Sequence, residues 1–209
     1  IKQDFGPATK IVPTINYLKE NNYILNDTYI IYLDDDIQYR PNMISSYNSI
    51  LMLNKVDRVI CTVGFHFVYH KNKFNLYDLR NHNDNVSVAQ GYASVCVPFS
   101  IFADDFLDYI EKYTFNEKYK HCKLSDDVIL SNYYAMKDIP IKIINIPGEF
   151  SIYDLWKNKS FLDYGNQSDA LHCGASGTSS TNINRYPKVL SSLAKNNELY
   201  IKVYSINND

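Results

Sequence analysis

Hydrophobic positions along this chain switch between a helical and an extended period. Ile11, Ile15 and Leu18 share one helical face through to about Glu20, with Pro13 early enough for the first turns to tolerate it. The β-branched and aromatic run Tyr29-Ile30-Ile31-Tyr32-Leu33 then predicts a strand over 28–33. A helix is expected from Pro41, with Met43, Ile44, Ile50, Leu51 and Leu53 as its buried residues. A strand over 58–63 is broken by Gly64, and 65–70 reads as another strand or hairpin arm. Residues 71–75 read as a turn and 80–85 as a polar loop. An apolar piece over 86–89 leads to Gly91 and a small-residue run over 93–97 that Pro98 ends. Helices are expected over 104–113 and 128–136, the second opened by Ser125-Asp126-Asp127, and a strand over 141–146. Beyond 147 come an aromatic-rich stretch with Tyr153 and Trp156, a Gly/Ser/Thr segment over 174–181 expected to be a mobile loop, a helix over 187–195 and a strand over 199–206. Strands alternating with helices indicate an α/β sandwich.

The bulk properties narrow the class. With 209 residues and 45% hydrophobic content, the chain can bury one good core. A single domain over 1–209 is expected, with a core over 4–146 and a decorated C-terminal part over 147–209. The net charge of −2 comes with no basic stripe, which disfavours nucleic acid as a partner. Cys61, Cys96, Cys122 and Cys173 form no CxxC pair, so reduced, packed thiols and a cytoplasmic location are expected. No apolar stretch approaches the roughly 20 residues that a membrane-spanning helix needs. His66 and His70 have a spacing that suits zinc on a helix, but the Phe, Val and Tyr around them predict a strand.

Three consecutive carboxylates, Asp34-Asp35-Asp36, follow the first predicted strand directly. Alternation along an extended chain places Asp34 and Asp36 on one side and Asp35 on the other. Two carboxylates about 6 Å apart repel by roughly 3 kcal/mol at an effective dielectric near 20, a cost that bound Mg²⁺ or Mn²⁺ turns into attraction. Hard oxygen donors fit those ions. Ser125 is a good N-cap candidate, and Asp126 and Asp127 in a first helical turn favour the helix dipole; the same dipole is expected to lower the Asp127 pKa.

Taken in order, Asp4-Phe5-Gly6-Pro7-Ala8-Thr9-Lys10, then Leu33-Asp34-Asp35-Asp36-Ile37, then Asp126-Asp127, resemble the nucleotide-sugar-dependent glycosyltransferases of the GT-A type, in particular a group of bacteria and large DNA viruses. The resemblance covers roughly residues 4 to 136. It implies a Rossmann-like mixed sheet flanked by helices. It also implies two further βα units, about 60 residues, that such a domain carries ahead of Asp4 and that this sequence lacks.

The resemblance implies residue roles as well. Asp36 becomes the direct metal ligand with Asp34 as its partner, and Asp35 faces the donor ribose. His172 becomes an extra metal ligand. Lys10, with Thr9, reaches the donor diphosphate, and Gly91-Tyr92-Ala93-Ser94 lies beside the donor sugar and acceptor. Asp127, with Asp126, supplies the base that removes the acceptor hydroxyl proton. The implied activity is metal-dependent transfer from a nucleotide-diphosphate sugar, a UDP-sugar being expected, onto a sugar or glycan hydroxyl with inversion. Mn²⁺ or Mg²⁺ would be the cofactor and a carbohydrate acceptor the partner. Two alternatives stand beside this. One is a degenerate GT-A module that binds glycan without turnover. The other is a haloacid dehalogenase-type phosphatase, disfavoured because Gln38 stands where that motif wants Thr or Val.

Overall fold

The computed structural model describes residues 3–24, 26–34, 39, 42–53, 57–78, 85–144 and 182–205. Its first element is a 3-10 turn, Gly6–Lys10, built by its own side chains. Asp4 Oδ1 accepts from the Gly6 amide at 2.7 Å and Thr9 Oγ1 accepts from the Phe5 amide at 2.9 Å. Gly6 is left-handed at φ +62, and a Cβ there would lie 2.9 Å from the Lys123 carbonyl oxygen, so both backbone conformation and space favour glycine. Pro7 opens the turn, where a missing amide hydrogen costs nothing.

Helix α1, Val12–Glu20, follows and buries Ile11, Val12, Ile15 and Leu18. The chain then forms β1 (Tyr29–Tyr32), α2 (Met43–Leu53), β2 (Val59–Cys61), β3 (Gly64–His70), β4 (Lys73–Asp78), β5 (Asn85–Val86), β6 (Val88–Ala89) and β7 (Val95–Pro98). After these come α3 (Phe106–Phe115), α4 (Asp126–Met136), β8 (Ile141–Ile143), α5 (Asn182–Lys195) and β9 (Val203–Ser205).

The larger sheet has the order β1-β7-β2-β8-β5, with β7 antiparallel to both β1 and β2 and β8 parallel to β2. Side-chain alternation sorts its faces. Tyr29 and Ile31 of β1, Ile60 of β2 and Cys96 of β7 pack with Met43 and Tyr47 of α2. Ile30, Tyr32, Val59, Cys61, Val95 and Val97 point the other way, into the core shared with α1, α3 and α4. The result is a mixed sheet between helical layers, an α/β fold.

The smaller sheet runs β4-β3-β6, with β9 parallel to β3. Its inner face packs on α5, where Phe65 and Phe67 meet Tyr186. Polar groups tie down the chain that leads to β9. The buried Asn132 of α4 accepts from the amides of Tyr200 and Ile201 and donates to the Glu198 carbonyl. The Glu198 carboxylate accepts from Lys112, Tyr113 and Tyr119. Burial raises its pKa, but these three donors outweigh that and hold it below the usual range.

Several elements differ from the sequence reading. Ile44, expected inside, is 57% exposed, while Tyr47 fills the core and bonds Ser94 Oγ through its hydroxyl at 2.9 Å. The expected turn over 71–75 is only Lys71 and Asn72, both with positive φ, the backbone of a tight hairpin. Strand β4 begins at once after it, its period masked by Lys73 and Asn75 on the outer face. Gly64 starts β3 instead of breaking a strand: a Cβ would lie 2.7 Å from both Val86 Cγ2 and the Val88 carbonyl, where the chain passes between sheets. The piece over 86–89 is split at Ser87, whose hydroxyl donates to the Lys202 carbonyl at 2.7 Å. Among the described residues the last helix covers Asn182–Lys195 with Pro187 inside it, and the last strand covers Val203–Ser205.

Cys61, Cys96 and Cys122 are buried free thiols, and burial pushes those of Cys96 and Cys122 up to about 12. Cys173 lies outside the described residues, as do Tyr153, Trp156 and the Gly/Ser/Thr segment. No helix among the described residues is long and apolar enough to cross a membrane.

Candidate functional site

Five separate stretches of chain converge at the end of β1. Asp34 stands two residues past the last residue of that strand, and Lys10 is the last residue of the 3-10 turn. Asp126 and Asp127 open α4, Gly91 leads from β6 toward β7, and Arg185 and Tyr186 lie in α5. The Lys10 ammonium sits 2.8 Å from Asp34 Oδ1 and 2.8 Å from Asp126 Oδ2, above the Tyr32 ring. Burial would lower the Lys10 pKa, but Asp126, Asp127 and Asp34 outweigh it and raise it, so the group stays charged.

Asp127 is held at both oxygens. Oδ1 accepts from the Gly91 amide at 2.9 Å, and Oδ2 accepts from the Tyr186 hydroxyl at 3.1 Å. The sequence reading expected the helix dipole to lower its pKa. The opposite holds: burial, then the neighbouring Asp126 charge, push it up to about 7 against the pull of Lys10 and the Gly91 amide. Two carboxylates this close resist ionising together, and dipole effects of 0.3 to 1 kcal/mol are too small to offset that. Ser125 does not cap the helix as expected; its hydroxyl donates to the His121 carbonyl at 3.4 Å.

Gly91 is needed for space. A Cβ would lie 2.7 Å from Lys10 Nζ, 3.1 Å from Asp127 Oδ1 and 3.3 Å from Tyr32 Cε2. Tyr39 joins the two sides of the site: its hydroxyl accepts from the Asp34 amide at 3.0 Å and donates to the Tyr92 carbonyl. Asp34 is thereby linked through one hydroxyl to Tyr92, next to Gly91.

Of the residues singled out in the sequence, Lys10, Asp34, Gly91, Asp126 and Asp127 come together. Thr9 does not join them, because its hydroxyl is engaged by the Phe5 amide and, at 3.4 Å, by Asp4. Asp35, Asp36 and His172 lie outside the described residues. His66 is on a strand, as expected, with Nδ1 2.9 Å from Ser87 Oγ. Tyr39, Arg185 and Tyr186 were missed. Tyr39 follows the acidic triplet closely enough to have been suspected. Arg185 and Tyr186 carry no local signal, since only the docking of α5 brings them in.

The donor set here is oxygen-rich and anionic, the kind that hard cations take, but the Lys10 ammonium already lies between Asp34 and Asp126. Among the described residues no three metal-binding side chains gather closely enough to chelate one. Asp34 would therefore need a ligand from outside them. Comparison with family models, with curated proteins and with solved structures returns no match for this chain.

Proposed function

We propose that this chain is a metal-dependent glycosyltransferase of the GT-A type. It would transfer a sugar from a nucleotide-diphosphate donor, a UDP-sugar being the first candidate, to a carbohydrate hydroxyl with inversion. The observation that carries this reading is the meeting of Lys10, Asp34, Gly91 and the Asp126-Asp127 pair at one sheet end, from stretches far apart in sequence. Asp34, with Asp36, would hold Mg²⁺ or Mn²⁺. When bound, the ion would neutralise charge on the departing diphosphate.

The chain's own groups would do the rest. Asp127, its pKa pushed up by burial and by the neighbouring Asp126, is a stronger base than an ordinary carboxylate. It would take the proton of the acceptor hydroxyl as that oxygen bonds to the sugar C1. The bond from C1 to the diphosphate oxygen breaks in the same step, and its electrons leave with the diphosphate. Lys10, charged throughout, can act only as an electrostatic group, neither base nor nucleophile. Gly91 keeps the space above it open.

Calorimetric titration with a panel of nucleotide sugars, with and without Mn²⁺, tests the reading. Metal-dependent binding of one donor, weakened by Asp34→Asn and Asp36→Ala, is the expected result, with turnover abolished by Asp127→Asn. Binding without metal, or turnover that survives Asp127→Asn, would overturn it. Metal-dependent donor binding with no turnover toward any acceptor or water would favour the non-catalytic module.

A further inference from the structure

Tyr186 is 2% exposed, stacked on Phe65 at 5.9 Å between centroids and edge-on to Phe67 at 6.4 Å. The same helix buries Val189, Leu190 and Leu193. The phenol therefore has little freedom, and its hydroxyl is delivered to Asp127 Oδ2 by packing alone. An ionised carboxylate offers about four acceptor positions. Gly91 and Tyr186 take one on each oxygen, which fixes the plane of the group and leaves room for an incoming proton.

We propose that Tyr186 is a positioning residue for Asp127: its hydroxyl locks the carboxylate against the Gly91 amide, so that docking of α5 orients the base. This inference rests on the reading of Asp127 as the base. Among the described residues, the charged groups facing Asp127 are Asp126 on α4, Lys10 on the 3-10 turn, Asp34 after β1 and Arg185 on α5, with the neutral Tyr32, Tyr134 and Cys61 beside them. Tyr186 donates to the ionised form, so it opposes the upward push of burial and Asp126.

The test is Tyr186→Phe, which keeps the ring on Phe65 and removes only the donor. Carboxyl ¹³C titration of the metal-free protein, with the Asp127 resonance assigned through Asp127→Asn, should show that group rising by about one to two pH units. At pH 7 the ionised fraction, and donor turnover with it, should fall by about 5- to 50-fold, with donor KM unchanged and activity recovering at higher pH. Site-specific replacement of Tyr186 by 3-fluorotyrosine, a stronger donor of the same shape, should move the titration the other way, which separates positioning from any loss of packing. An Asp127 titration that neither variant moves would overturn the proposal. A wild-type chain that turns over no donor, yet shows both titration shifts, would refute the glycosyltransferase reading and leave the Tyr186 to Asp127 coupling standing.

Discussion

Replacing Asp127 by Asn should stabilise the fold above neutral pH while removing the proposed base. The carboxyl ionises near 3.8 in the unfolded chain and at about 7 in the fold. Between those values the folded state holds a proton that the unfolded state has lost, so stability falls as pH rises through this window and levels off above it. At about 1.36 kcal/mol per pH unit, the ionised group costs the fold up to about 4 kcal/mol. Local adjustment of Lys10 and Asp126 relieves part of this, and about 2 to 3 kcal/mol is expected in practice. Asparagine preserves the geometry, since its oxygen can accept from the Gly91 amide while its NH₂ donates to the Tyr186 hydroxyl. For a chain of 209 residues, that gain corresponds to a Tm about 4–12 °C above wild type at pH 8. At pH 4 the advantage should vanish, because wild-type Asp127 is then neutral as well. Thermal melts of both proteins in EDTA from pH 4 to 9 measure the difference directly, and the pH effects of groups that do not interact with Asp127 cancel. A variant no more stable than wild type at pH 8, or a difference flat with pH, would refute the account of a partly buried carboxyl whose ionised form is opposed by its neighbour.

Three more expectations follow from the geometry. Gly91→Ala should push Lys10 off its two carboxylates and cost about 1–3 kcal/mol, read by denaturant unfolding, with donor turnover lost. Lys10→Met removes the ammonium that sits against both Asp34 and Asp126, the latter with its side chain only 10% exposed, and should cost about 3 kcal/mol. The Lys10 pKa is pushed up, so its own charge does not change from pH 6 to 9, but Lys10 also holds the Asp127 pKa down, so this deficit should grow as pH rises through neutrality. Asn132→Leu strips the acceptor from the Tyr200 and Ile201 amides and should cost about 2–4 kcal/mol. Faster hydrogen exchange at those two amides would locate the loss.

The parts of this fold legible in the sequence were those with strong one-sided periods. Ile11, Ile15 and Leu18 placed α1, and the run from Tyr29 placed β1, because burial of one face leaves a repeating signal. Strand β4 was not legible: with its outer face polar and its inner Phe74 and Leu76 only two residues, the pattern is too short to separate from a turn. Ile44 shows the limit of composition, since an apolar side chain at the solvent face leaves no mark distinguishing it from a core residue. At the site, Asp34 and the Asp126-Asp127 pair could be named because charge beside a strand or helix end is visible locally. The sign of the Asp127 shift could not, because it depends on burial by groups remote in sequence. Tyr186 is 59 residues from the oxygen it bonds, a separation no periodicity reports.

The reach of that contact also bears on biosynthesis. A polypeptide emerging from the ribosome would have its acidic loop and Lys10 long before the helix bearing Tyr186 exists, so the completed constellation arrives late. Premature chain termination anywhere before that helix would yield a product lacking the Tyr186 hydroxyl, so the activity proposed for Asp127 would depend on synthesis reaching position 186.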